Sequence, residues 1–251
     1  MNSDSAEGHS SIADPQKQPT AAGVDPGSST SLTEKAYLRI EHMIVTAELA
    51  PGSWISEAAI SQQIGIGRTP VREALQRLSS EHLINIVPRR GIFVTEINVQ
   101  HQLLLLEVRG GIERLMAVRA ARYRTTRERQ RMLDLAEAMV RAAEAGEYKE
   151  SIRFGRDCSL FIRQCSRNPY AERAVAPLYS ASRRFFYLYA QPEDVVRSAS
   201  YHAALMQAAA RGDTEAAAQA ADALMEFLES FARAVIDHAR PPTTGTIDDL
   251  S

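Results

Sequence analysis

Arg68 and Arg72 stand four residues apart, with Val71, Leu75 and Leu78 interleaved. On a helix this spacing puts the two guanidiniums together on one face and turns the three aliphatics toward a core. A helix N-terminus favours anions, and arginine fits both a phosphate and the guanine edge. This end of the segment therefore has the chemistry to enter a DNA major groove. The Thr69 hydroxyl adds a phosphate donor beside them. Further on, Pro88-Arg89-Arg90-Gly91 reads as a turn carrying two cations. Its glycine permits close backbone approach to a phosphate or to the minor groove. Arg77, alone on its side of the same helix, reads as a solvated residue.

A second set of reactive types lies in the C-terminal half. Arg183, Arg184, Phe185, Phe186, Tyr187 and Tyr189 form the densest arginine and aromatic cluster of the chain. Arginine beside tyrosine suits a carboxylate or phosphate-bearing small molecule in an apolar pocket. At 100° per residue only part of the cluster shares a face, Arg183 with Tyr187 for example. A pocket and a core or subunit interface stand as equal readings. Arg109, with Glu113 four residues on, belongs to either a pocket or a structural pair. Cys158 and Cys165 are seven apart on a helical stretch, about 10 Å, which is beyond disulfide reach and points to a reducing, cytoplasmic setting. No nucleophile–base arrangement, Gly-rich phosphate loop, pair of His ligands or carboxylate cluster is legible, so no enzyme is expected.

The elements that must position these residues follow from periodicity and caps. From Ser31, Tyr37, Ile40, Met43 and Ile44 trace one helical face, which stops at Ala50-Pro51-Gly52. Ser56 offers a cap for a short second helix closed by Gly65. Thr69 as cap and Pro70 as first residue open a third helix, which runs to about His82. The pattern then turns extended, Leu83 to Val87 and Ile92 to Val94 about the Pro88–Gly91 turn. Three helices and a two-stranded hairpin, in that order, make a winged helix-turn-helix over 31–97. Residues 98–240 hold only five glycines and three prolines, so they read as an all-helical antiparallel bundle of about six helices. Its breaks are expected at Asn98, Thr125 with Glu128, Gly146, Asn168-Pro169, Gln191-Pro192 and Gly212-Asp213. Pro177 falls inside the fourth of these helices and predicts a kink. The fold class is thus mainly α. Residues 1–30, poor in large apolar residues, read as a disordered tail, and 241–251 as a flexible one.

Charge localises the polyanion site. The chain of 251 residues has a formal net charge of −2, which excludes a uniformly basic nucleic-acid coat. Residues 60–92 nevertheless carry five arginines against two glutamates, a net +3, whereas residues 31–59 come to −2. The start of the chain carries Asp4, Glu7 and Asp14 and reads as no signal peptide. No apolar run is long enough to suggest a membrane span.

The run Pro51-Gly52, Ser56-Glu57, Ile64-Gly65-Ile66-Gly67-Arg68-Thr69-Pro70-Val71-Arg72-Glu73-Ala74-Leu75-Gln76-Arg77-Leu78, Pro88-Arg89-Arg90-Gly91 and Val94 resembles the DNA-binding domain of GntR-family transcription regulators. By that resemblance Arg68, Thr69 and Arg72 match the family's operator contacts in the recognition helix, with Arg90 and Gly91 at the wing. The chain departs at Gly67, where the family has Ser or Thr, and at Ala58, where many members place an arginine. The second module resembles the FadR-type, or FCD, effector domain through Leu106-Glu107-Val108-Arg109, Ile112-Glu113, Cys165-Ser166-Arg167-Asn168-Pro169, Tyr201-His202, Ala208 and Gly212-Asp213.

Many FCD domains hold a divalent metal with one aspartate and three histidines, and the metal holds a carboxylate effector. Here Gly155, Ser159 and Leu224 occupy three of those positions and only His202 remains. Asp157, two residues from the aspartate position, is rotated by about 200° on a regular helix. One or two ligands are too few for a stable site, so no metal or other cofactor is expected. Arg109, His202, Arg183, Tyr187 and Asp157 are the candidate effector residues. The resulting expectation is a homodimeric regulator, by resemblance more commonly a repressor, bound to palindromic double-stranded operator DNA. It would be controlled by a small carboxylate-bearing metabolite such as an organic or sugar acid. The alternative is a constitutive dimeric DNA binder whose helical domain no longer takes an effector.

Overall fold

The computed structural model describes residues 31–238; the two tails expected at 1–30 and beyond 240 lie outside them. The N-terminal module runs α1 (Leu32–Val45), β1 (Trp54–Ile55), α2 (Glu57–Ile64), α3 (Arg68–Ser80), β2 (Ile84–Val87) and β3 (Gly91–Val94). Its core is one apolar cluster that includes Ile40, Ile44, Ile60, Val71, Leu75, Leu78, Ile84 and Val94. Ser31 caps α1 by accepting from the Glu34 amide, and Ser56 caps α2 by accepting from Ala59.

Three local expectations change. The first helix ends at Val45, five residues before the Ala50-Pro51-Gly52 break, because Thr46 and a left-handed Ala47 terminate it. The third helix opens at Arg68 with Gly67 as its cap, so Thr69 lies inside the first turn and the cap has no side chain to bond with. The hairpin becomes a three-stranded antiparallel sheet in the order β1-β3-β2, with Trp54 opposite Phe93 and Ile86 opposite Ile92. A two-residue strand is too short to show an alternation in sequence.

Six helices follow: α4 (Val99–Tyr123), α5 (Thr126–Glu144), α6 (Tyr148–Cys165), α7 (Pro169–Tyr189), α8 (Pro192–Arg211) and α9 (Thr214–Asp237). Helix α4 packs on α9, and α5 packs between α6 and α8, around a second core containing Leu106, Met116, Leu135, Ile162, Phe185, Met206 and Phe231. The boundary residues act as caps. Asn98 and Asn168 each accept two amides, and Thr125 and Glu128 form a reciprocal capping box. Gly212 closes α8 in the left-handed conformation, and the Arg124 guanidinium reaches over it to the Ala210 and Arg211 carbonyls. Helix α7 continues through Pro177 from Pro169 to Tyr189. Both cysteines are free and buried.

Candidate functional site

The first candidate surface is the exposed start of α3. Arg68, Thr69 and Arg72 are all exposed there, and the side-chain-free cap at Gly67 leaves first-turn amides with no capping acceptor. Arg72 is not idle. Its Nε and Nη2 donate to the two Glu57 oxygens at 3.0 and 2.8 Å, and these bonds hold the Glu57 carboxyl below its usual range. Arg72 and Arg89 line one groove between α3 and the wing, together with Gln76, Pro88 and Gly91. At the wing Arg90 is exposed, and its guanidinium lies 5.3 Å from the centre of the half-exposed Trp54 ring, which presents a flat aromatic beside a cation. Gly91 has φ +108°, and a Cβ there would sit 2.9 Å from the Ile55 carbonyl oxygen. Whatever Gly91 touches outside, β3 can pair with β1 only if this residue has no side chain.

Arg77 is exposed, as its sequence position implied, but its guanidinium is also bonded. Its guanidinium stacks 3.5 Å from the centre of the Tyr37 ring and pairs with Glu34 at 2.9 Å and Glu81 at 3.2 Å. The Tyr37 hydroxyl donates to Glu81 at 2.9 Å, and burial raises its pKa well above the ordinary value. These contacts clamp the recognition helix to α1.

The second site is a cavity of about 40 Å³ inside the helical bundle, lined by Arg109, Gly155, Arg156, Tyr179, Ser182, Arg183, Phe186, Ser198 and His202 among others. Three arginines line it and no carboxylate does. Arg109 is committed: Nε and Nη2 donate to Glu113 Oε1 at 3.0 and 2.8 Å, Nη1 donates to Ser182, and the guanidinium lies 4.5 Å from the Tyr179 ring centre. Both partners of this ion pair are almost fully buried. His202 Nδ1 donates to the Ser198 carbonyl at 2.9 Å. Burial, with a smaller contribution from the Arg109 charge, lowers its pKa, so the neutral ring presents Nε2 as an acceptor.

The five candidate effector residues are thus divided. Arg109, Arg183 and His202 line the cavity. Tyr187 instead lines a larger cleft of about 840 Å³ between α1 and the α6–α7 pair, which Arg156, Arg183 and Ile152 share with the cavity. Asp157 lines neither and approaches Arg153 and Arg156 at 3.5 and 4.0 Å, as its rotation on the helix requires.

Sequence reasoning missed Glu41. It lies on the buried face of α1, four residues after Tyr37, and is 3% exposed. Its Oε1 accepts from Arg183 Nη1 at 2.8 Å and from Ser180 at 3.0 Å, whereas Oε2 is buried without a partner. A carboxylate on a core stripe is itself the signal that a partner must come from elsewhere. Helix α7 grips the N-terminal module a second time through Arg184, whose Nη1 donates to Thr95 at 3.2 Å. Burial lowers the Arg184 pKa to about 10, and two of its nitrogens have no partner.

The metal set of related domains does not fit this cavity. Gly155 lines the wall where a carboxylate would be needed, and a Cβ there would meet the Met139 methyl at 2.9 Å. Ser159 and Leu224 are buried and supply no metal ligand, and the described lining holds three arginines but no carboxylate. No group of three or more His, Cys, Asp or Glu side chains converges among the described residues, and no described helix is long and apolar enough to cross a membrane.

Comparison with known proteins assigns both modules. Residues 32–94 match the bacterial regulatory proteins of the gntR family, and residues 104–227 match the FCD domain. An HTH-type transcriptional regulator of Agrobacterium vitis is 32% identical over 126 residues, 49% of this chain and 74% of that protein. The HTH-type transcriptional regulator McbR of Escherichia coli is 26% identical over 149 residues, 59% of this chain and 67% of the relative. A regulator of Streptomyces ambofaciens is 42% identical, but over only 26% of its own length. Among solved structures, Escherichia coli McbR/YncC superposes with a TM-score of 0.72 at 21% identity, covering 83% of this chain and all of the other. At that identity the likeness is one of fold.

Proposed function

Since the chain belongs to the gntR family of bacterial regulatory proteins and is a helix-turn-helix transcription regulator with an FCD effector-binding domain, we propose that it is a homodimeric repressor released by a small hydroxylated carboxylic acid. The observation that carries the DNA reading is the exposed Arg68, Thr69 and Arg72 at the start of α3, with Arg89 and Arg90 at the wing. Arg68 and Arg72 read base edges and Thr69 meets a phosphate; Arg90 and Gly91 bring the wing to the backbone. One module covers a half-site, so a palindromic operator calls for two copies. An exposed stripe on α4, Leu104, Val108 and Leu115 at 63%, 58% and 46% exposure, supports a subunit contact through the helical domain.

The effector reading rests on the cavity. Its arginines suit a carboxylate, and the free Nε2 of neutral His202 accepts from a hydroxyl. Operator selection from a random DNA pool at fixed salt, repeated with organic and sugar acids, tests the proposal. An enriched palindrome weakened by one acid is the expected outcome. No enrichment refutes DNA recognition, and a palindrome indifferent to every acid favours a constitutive DNA binder.

A further inference from the structure

We propose that Arg156 and Arg183 form an anion site where the buried cavity meets the cleft along α1, and that a carboxylate bound there takes Arg183 away from Glu41. This rests on the reading of the helical domain as effector-binding, and adds where the acid binds and how it is sensed.

Four observations support the site. Arg156 and Arg183, with Ile152, line both spaces, so the two cations sit where the cleft and the cavity adjoin. Both keep hydrogen-bonding capacity to spare, although Arg183 Nη1 is paired with Glu41. Arg109 is fully bonded, whereas among the described residues Arg156 has only a long ion-pair contact, to Asp157 at 4.0 Å, and Arg183 Nε is buried without a partner. A buried N–H without a partner is costly, and a ligand oxygen removes that cost. The cavity holds only a few waters at about 40 Å³, so a whole metabolite does not fit within it. A carboxylate at the junction instead leaves its body in the cleft, against Tyr187 and Ile152.

The coupling follows from the pair that Arg183 makes now. Glu41 is satisfied at one oxygen only, and that oxygen also accepts from Ser180. When Arg183 turns to a ligand, the Ser180 bond remains and the ionic link between α7 and α1 is lost. Helix α1 in turn carries the Tyr37 ring on which Arg77 of the recognition helix stacks. The anion and Glu41 therefore compete for one guanidinium, and linkage requires that weakening either raises the affinity for the other.

Benzoate is the probe, titrated into the full chain at matched ionic strength and followed by NMR, with operator affinity measured in parallel. The expected result is that Glu41→Gln, which keeps the Ser180 contact, binds benzoate about fivefold or more tightly than the unmodified protein. Arg183→Gln should lose binding about tenfold. Arg156→Gln, outside the Glu41 pair, should lose it severalfold with an unchanged melting temperature, which separates ligand contact from misfolding. Equal affinity in the unmodified and Glu41→Gln proteins overturns the exchange but leaves the effector reading standing. Undiminished binding by Arg156→Gln and Arg183→Gln overturns the site, and no saturable binding of benzoate by any of the proteins overturns the site and the exchange, while the effector reading stands or falls on the acid panel above. Operator affinity without benzoate tests the DNA reading separately.

Discussion

Replacing Glu113 by alanine should be among the most damaging single changes in the helical domain. The Arg109–Glu113 pair is buried, with side chains only 3% and 5% exposed, and Glu113 supplies both the charge and two of the three hydrogen bonds that Arg109 makes. Without it a cation stays in the core facing Ser182 and the Tyr179 ring. Breaking a buried pair from one side costs about 3–5 kcal/mol. In a folded unit of this size each kcal/mol moves the melting temperature by about 2–4 °C, so a fall of about 6–20 °C is expected. Removing both charges tells a different story. Arg109→Met with Glu113→Leu fills the space with apolar groups and should recover most or all of the loss. Urea and thermal unfolding followed by circular dichroism, on both single variants and the double, give the coupling energy directly. Losses below about 1 kcal/mol for the singles, or a double variant as damaged as the sum of the two, would show that the pair is not the buried, mutually dependent unit described.

The remaining expectations use other residues. Arg72→Ala should weaken specific operator binding by about 5- to 150-fold while leaving the melting curve in place; unchanged affinity removes Arg72 from the interface. Gly91→Ala should destabilise the N-terminal module by about 2 kcal/mol or more, since φ +108° and the Ile55 oxygen both exclude a Cβ; a variant with unchanged urea midpoint refutes the β1–β3 pairing argument. The lowered pKa of His202 means that the unfolded chain binds a proton there more readily than the folded one. Stability should therefore rise with pH up to about 6.5 and fall below it, and His202→Gln should flatten that slope. Burial raises both cysteine pKa values to about 12. At pH 8 only about one thiol in ten thousand is then ionised, so a disulfide reagent should react no faster than the protein opens; rapid labelling of the native protein contradicts this placement.

The helix order, and nearly every boundary in the bundle, was legible because caps and breakers act within a few residues. Asn98, Thr125 with Glu128, Asn168-Pro169 and Gly212-Asp213 each do locally what their types imply. The end of α1 was missed because nothing in Thr46-Ala47 advertises a stop; the left-handed turn there is set by burying Leu49 in the module core. The cap of α3 was misplaced because Thr69 is the better capping type, whereas the chain uses Gly67. The candidate DNA-facing residues follow from spacing on one helix and one turn, so they were readable. The cavity was less so, since its walls come from six helices and the Arg183–Glu41 contact joins residues 142 positions apart. Arg156 gave no signal, because an arginine on an amphipathic helix looks the same whether it faces water or a cavity.

The strand order β1-β3-β2 also governs how the N-terminal module can be made. Its central strand is the last one synthesised. Gly52 donates to Val94, and Val94 donates to Ser53, both at 2.9 Å, so the segment before α2 has nothing to pair with until residues 91–94 have left the ribosome. Thr95 then ties the same strand end to Leu83 and receives Arg184 from α7. Helices α1 to α3 make local contacts early, but the sheet closes over a loop of roughly forty residues, and such closure is slow relative to helix formation. A nascent chain stalled before Gly91 would leave the edge of β2 unpaired, whereas four more residues complete the sheet.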